Sequence, residues 1–124
     1  MKKELILNMS FPSLNEYINL ERSNKFAAAT MKKSRTITVA YLARAQVFKL
    51  EDKKYDVYFT WYKPNNKKDH DNIAFAKKFV LDGLILAKVL KSDGSKYINN
   101  FRDTFILDKT RDYVSCKVEF IELF

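Results

Sequence analysis

Asp69, His70, Asp71 and Asn72 stand in a row between the basic pair Lys67-Lys68 and an apolar stretch that carries Lys77 and Lys78. Two carboxylates two residues apart can present oxygen ligands to one hard cation such as Mg²⁺. The surrounding lysines supply the positive charge that a phosphodiester attracts. A second acidic turn follows at Ser92-Asp93-Gly94. Acid and base gathered around one helix start point to metal-dependent cleavage of a nucleic acid. Each part also has a plain structural use: Asp before a helix caps it, Asp-Gly makes a turn, and a lysine-rich connection is a solvated one.

These residues need elements to hold them. Glu4 to Met9 reads as a strand with Leu5, Leu7 and Met9 on one face, and the turn-rich Ser10-Phe11-Pro12-Ser13-Leu14-Asn15 leads out of it. Residues 16–30 have mixed polarity and no assigned element. From about Lys32 to Leu50, Val39, Leu42, Ala43, Val47 and Leu50 recur at helical intervals. Tyr55 to Tyr62 alternates, with Tyr55, Val57, Phe59 and Trp61 on one face and Asp56, Tyr58, Thr60 and Tyr62 on the other. A helix is expected from about Asn72 to Leu90, with Asp71 as N-cap and Ile73, Ala76, Val80, Leu84 and Ala87 as its core stripe. Two strands, about Tyr97 to Leu107 and Tyr113 to Leu123, flank a turn at Asp108 to Asp112. The expected fold is α/β (α+β): a mixed β-sheet with two main helices on one side, in the order β-α-β-α-β-β.

On one continuous helix, Lys78 lies about 20° from Asp71, with Asp82 and Phe75 nearby on the same face, whereas Lys77 falls about 120° away. Lys78 is therefore the lysine favoured to approach a scissile phosphate and offset its charge. Length sets a limit, since Asp71 and Asp82 would be roughly 16 Å apart and Asp93 about 30 Å from Asp71. Either the helix breaks near Gly83, or the acidic ends of two antiparallel copies meet across a two-fold axis, Asp71 of one beside Asp93 of the other.

Composition narrows the class. The 124 residues make a single domain over 1–124, and a net charge of +8 favours partners rich in phosphate while also serving solubility. The lone Cys116 excludes an internal disulfide and a cysteine-built zinc site, and its alternating apolar surroundings suggest a buried inert thiol. The short apolar run after Met1-Lys2-Lys3-Glu4 is too brief and polar for a signal peptide, and no stretch reaches the ~18 apolar residues of a membrane span. The expectation is a soluble cytoplasmic protein with no membrane partner.

The run Lys68-Asp69-His70-Asp71-Asn72, then Lys77-Lys78-Phe79-Val80-Leu81-Asp82-Gly83-Leu84, then Leu90-Lys91-Ser92-Asp93 resembles the RusA family of Holliday junction resolvases. That family's pattern is D-x-D-N, an apolar helix with an L-D-[AG]-L-like segment, and an acidic turn. Pro12-Ser13-Leu14-Asn15-Glu16-Tyr17, followed by Arg22, is similar to the N-terminal segment of phage-type members. The resemblance implies an intertwined homodimeric endodeoxyribonuclease that requires Mg²⁺, accepts Mn²⁺ in its place and uses no small-molecule cofactor. Such an enzyme binds four-way DNA junctions and nicks paired strands symmetrically in DNA recombination and repair. A phage or prophage origin, in a bacterial host cytoplasm, goes with it.

Carried over residue by residue, the resemblance makes Asp69, Asp71 and Asp93 the catalytic metal ligands, with Asp82 a further acidic residue of the helix. Lys78, which does not match the family's lysine position, can replace that lysine on the same helix face and completes the expected catalytic set. Lys67, Lys68, Asn72, Asn15 and Arg22 are expected to contact nucleic acid, and Lys32, Lys33 and Arg35 to form a second track along its backbone. This chain has Phe75 where many members place a lysine, and Ser92 where they often place the first of two acids. His70 turns away from its neighbours in an extended segment, which suits a solvated side chain better than a general base. Tyr58, Tyr62 and Phe75 could stack on unpaired bases, although packing is the commoner use of such residues. A flap or branch nuclease of the same fold, and a non-catalytic basic protein that binds branched DNA, stand as rival readings.

Overall fold

The computed structural model describes residues 2–123. Along the chain these form β1 (Lys2–Leu7), α1 (Leu14–Ser23), α2 (Lys25–Ala45), β2 (Tyr55–Lys63), α3 (His70–Ala74), α4 (Lys77–Leu86), β3 (Ile98–Leu107) and β4 (Ser115–Glu122). The class is the expected mixed α+β one; the helix expected over 32–50 is α2, shifted to Lys25–Ala45, and the one expected over 72–90 is divided in two.

The strands form one sheet in the order β1-β4-β2-β3. β4 is antiparallel to both neighbours, and β2 runs parallel to β3. A parallel pair needs a crossover connection, and α3 with α4 supplies it. Alternation sets the inward face: Tyr55, Val57, Phe59 and Trp61 are all buried, as are Leu5 and Leu7. Register extends this face across the sheet. Leu7, Cys116, Trp61 and Phe105 make one inward row, and Leu5, Val118, Phe59 and Asp103 the next. Val39 and Ala43 of α2, Ile73 of α3, and Phe79, Val80 and Leu84 of α4 join these strand residues in the core. Cys116 is buried there as a free thiol, and burial pushes its pKa well up.

The stretch without an assigned element is helical. Ser13 caps α1: its hydroxyl accepts from the Glu16 N–H at 3.3 Å, while the Glu16 carboxylate accepts from the Ser13 N–H at 3.2 Å. This Ser-x-x-Glu box satisfies two amides that a helix start leaves without partners. Asn24 separates α1 from α2. Extended at φ −159°, it donates its N–H to the Leu20 carbonyl, and its side chain caps α2 by accepting from Ala27.

The helix expected over residues 72–90 breaks at Phe75-Ala76, ahead of Gly83, where a break had been one of the two alternatives. Both residues keep right-handed helical angles, but Ala76, Lys78 and Phe79 donate to the third residue back, at 3.2, 3.3 and 3.0 Å. This tighter turning changes the phase between α3 and α4. Asp69, rather than Asp71, occupies the N-cap. Gly83 has a different use: an added Cβ would meet Val39 Cβ at 2.5 Å and the Thr36 carbonyl at 2.9 Å, so its lack of a side chain lets α4 lie close against α2.

Val47 and Lys88 follow the two helix ends with positive φ, 51° and 62°. There the chain turns back, and the Phe48 and Val89 amides bond to the Ala43 and Leu84 carbonyls. Val47 is 69% exposed, contrary to its expected place in the core stripe, because α2 has already ended at Ala45. Ala87, also expected in a core stripe, lies just past the end of α4 and is half-buried. The sheet's outer edges meet side-chain amides. Gln46 accepts from the Ile6 N–H at 3.0 Å and donates to its carbonyl at 2.6 Å, and on β3 the Phe101 N–H donates to Asn100 Oδ1.

Two substitutions test this account by urea unfolding. Gly83→Ala should lose about 1–3 kcal/mol through overpacking against Val39, despite alanine's better helix propensity; unchanged stability would contradict the close approach. Val47→Gly should gain about 1 kcal/mol by relieving a β-branched residue at positive φ, and a loss would count against that strain.

Candidate functional site

The chain leaves the C-terminal end of β2 at Lys63, crosses Pro64 to Lys68, and turns into α3 at Asp69. Asp69 and Asp71 are both exposed. Asp69 occupies the cap without bonding a helix amide through its side chain, and Asp71 lies in the first turn. Two hard carboxylates, neither engaged by a partner among the described residues, thus meet solvent at one helix start. A donor set of this kind suits Mg²⁺, which commonly takes one or two carboxylates and completes its shell with water and substrate phosphate.

Asp93 is elsewhere. It lies in the turn between α4 and β3, where the Gly94 N–H donates to Ser92 Oγ at 2.9 Å. That turn feeds the N-terminal end of β3, whereas Asp69 follows the C-terminal end of the parallel β2. Roughly 30 Å of strand separates these ends. No three His, Cys, Asp or Glu side chains gather as a metal-holding group among the described residues. Within one chain Asp93 is therefore not brought to Asp69 and Asp71. Ser92 has a local use as the acceptor that holds its turn.

The two lysines part company. Lys77 lies over the sheet, its ammonium donating to Asp103 Oδ2 at 2.7 Å and sitting 5.3 and 4.9 Å from the ring centres of Phe59 and Phe101. Asp103 also accepts from Trp61 Nε1 at 2.9 Å. Lys77 is thus engaged in packing, while Lys78 is exposed and makes no ion pair or hydrogen bond through its side chain among the described residues. Phe75 packs with Tyr17 and Phe79, at 5.5 Å from each ring, joining the helix break to α1. Tyr58 and Tyr62 face Arg102 and Arg111 at 4.8 and 4.4 Å.

The remaining basic and polar residues divide among several surfaces. Lys67 is exposed, and Asn72 is half-buried in α3. Lys68 pairs with Glu16, so its charge is already engaged. Burial would raise the Glu16 pKa, but its bonds with Lys68 and Ser13 outweigh that and hold it below the ordinary value. Asn15 and Arg22 are exposed at the two ends of α1. Lys32, Lys33 and Asp82 line a groove of about 940 Å³ between α1, α2 and α4. Arg35, three residues from Thr38 on the same helix, lines a separate pocket with Lys63 and Lys68. The expected track of Lys32, Lys33 and Arg35 is therefore split.

His70, expected as a solvated side chain, and Lys63, which the sequence reading passed over, meet beside the start of α3. His70 is exposed yet lies flat on Phe105, ring centres 3.8 Å apart and 7° between planes, with Lys63 Nζ 3.1 Å from its Nε2. A lysine donor requires the lone pair on Nε2, which assigns the proton of neutral His70 to Nδ1. Lys63 itself is 8% exposed. Its signal was present, since it extends the inward series of positions 55, 57, 59 and 61 with a charged residue.

No protein-family model matches the chain, and no curated protein matches it significantly. No helix among the described residues is long and apolar enough to cross a membrane.

Thermal melts should separate the lysines. Lys77→Ala leaves Asp103 with an uncompensated charge and should lose about 2 kcal/mol. Lys78→Ala should melt with the parent protein, and equal losses would undo the distinction.

Proposed function

We propose that the protein is a RusA-like, Mg²⁺-dependent endodeoxyribonuclease that resolves four-way DNA junctions by paired symmetric nicks. The observation that carries this reading is the pair Asp69 and Asp71, both exposed at a helix start and unengaged among the described residues, in a chain of net charge +8. Such a pair, unsupported by a cation, repels a polyanion, so a DNA-binding surface has reason to keep it only when metal is bound.

Asp69 and Asp71 would hold the cation, and bound Mg²⁺ would supply Lewis acidity at the phosphodiester, with Mn²⁺ able to replace it. Lys78, exposed on the helix that follows, would offset charge on the reacting phosphate. Lys67 and Asn72 would hold the neighbouring backbone, and Lys32 and Lys33 a more distant segment. Asp93 would join the site from a second copy, in a homodimer whose antiparallel helices bring opposite ends together. This removes the distance that separates it from Asp69 within one chain.

The rival reading is a basic protein that binds branched DNA without cutting it, favoured by Phe75 and Ser92 where RusA members often carry a lysine and an acid. Cleavage of a labelled synthetic four-way junction in Mg²⁺, beside duplex and flap controls, decides between them. The expected result is paired nicks on the junction alone, lost by at least about 100-fold in Asp71→Asn while DNA binding is kept or strengthened. Junction binding without cleavage in Mg²⁺ or Mn²⁺ would establish the rival. Cutting confined to flaps would point to a branch nuclease of another specificity.

A further inference from the structure

Beside the start of α3 lies a second, smaller cavity of about 240 Å³, bounded by α2, the end of β2 and the turn after β1. Its basic residues are Arg35, Lys63 and Lys68, and its acidic ones are Glu16 and Asp112. Lys68 and Glu16 neutralise each other. Asp112 is exposed and bonds to neither Arg35 nor Lys63. Among the described residues the charge of the other two is left without a bonded counter-ion.

Both of these cations are in costly positions. Arg35 Nε is buried with no hydrogen-bond partner, and such an orphaned donor typically loses about 1–3 kcal/mol. Lys63 is more than nine-tenths buried, and the polar contact of its ammonium is a histidine nitrogen rather than a carboxylate. A buried ammonium without an anion is unfavourable unless one arrives. Ser10 and Asn65 also line the cavity. Asn65 Oδ1 already accepts from the Lys67 N–H, which leaves its NH₂ free to donate.

We propose that this cavity is a phosphate pocket, in which Arg35 and Lys63 receive one phosphate group of the nucleic acid that engages α3. A tetrahedral oxyanion offers acceptors to a forked guanidinium, an ammonium and neutral donors at once. A water occupies about 30 Å³ of liquid, so the cavity has room for a group several times larger. The pocket's position follows from the fold: it opens at the C-terminal end of β2, against Ile73 of α3. The assignment rests on the nucleic-acid reading above, and it turns Arg35 from one point on a backbone track into part of a discrete receptor.

The test is calorimetric titration of the full chain with inorganic phosphate at low ionic strength, with junction cleavage measured in parallel. One-site binding is expected, weakened about tenfold or more in Arg35→Gln and unchanged in Lys109→Gln, which alters an exposed lysine of the β3–β4 turn. Lys63→Met should show the same loss if circular dichroism shows it folded, and Arg35→Gln alone decides if it is not. Failure of the parent protein to bind phosphate, or parent-like binding by Arg35→Gln, would overturn the pocket whatever the cleavage result. Phosphate binding without junction cleavage would reject the nuclease reading and leave the phosphate site standing. Competition by single-stranded oligonucleotides identifies the source: displacement only by the 5′-phosphorylated strand assigns a terminal phosphate, and displacement by both strands an internal diester. Displacement by neither would refute the nucleic-acid phosphate as occupant.

Discussion

The parallel pairing of β2 with β3 is the constraint on which the other features depend. It obliges the chain to cross over the sheet between the two strands, and it fixes which turns lie at which end. Asp103 anchors the crossover. It stands in an inward row with Leu5, Val118 and Phe59, where a carboxylate would be costly without partners. Lys77 from above and Trp61 from beside it satisfy that carboxylate, tying α4 to the strand pair. The Asp69–Asp71 segment begins where the crossover begins, and Asp93 lies where it ends. One topological requirement therefore exposes the first two carboxylates together and carries the third to the far end of the sheet.

Much of this was legible in the sequence, for identifiable reasons. The alternation in Tyr55 to Trp61 survives because β2 is interior to the sheet and one face is wholly covered, and burial is the signal that a period-two pattern records. The α1 segment gave no such pattern because it has no fully buried residue, yet its Ser13-to-Glu16 capping box was available and unread. The break at Phe75-Ala76 had no conventional marker, since neither residue is Gly or Pro and both retain helical angles. It coincides with Phe75 packing against Tyr17, a tertiary contact that spacing alone does not specify.

The site was legible to a similar depth. Local features were readable: a carboxylate pair before a helix and a basic stretch beside it. Relations between distant segments were not. A 100° helical count separates Lys77 from Lys78, but only the register of β3 shows that Lys77 is taken by Asp103. Arg35 groups with Lys32 and Lys33 by sequence, whereas the helix surface assigns it to the opposite cavity. The charged residue at the inward position 63 was the strongest unread clue.

Gln46 and Asn100 do more than complete local bonding. An open sheet of four strands has two borders, each able to recruit a strand from another molecule and so seed disordered aggregation. At one border Gln46 presents an amide that imitates the next strand's backbone, and at the other Asn100 occupies an N–H of β3. Two side-chain amides at the margins of the sheet thus engage backbone groups that would otherwise be open to a further strand.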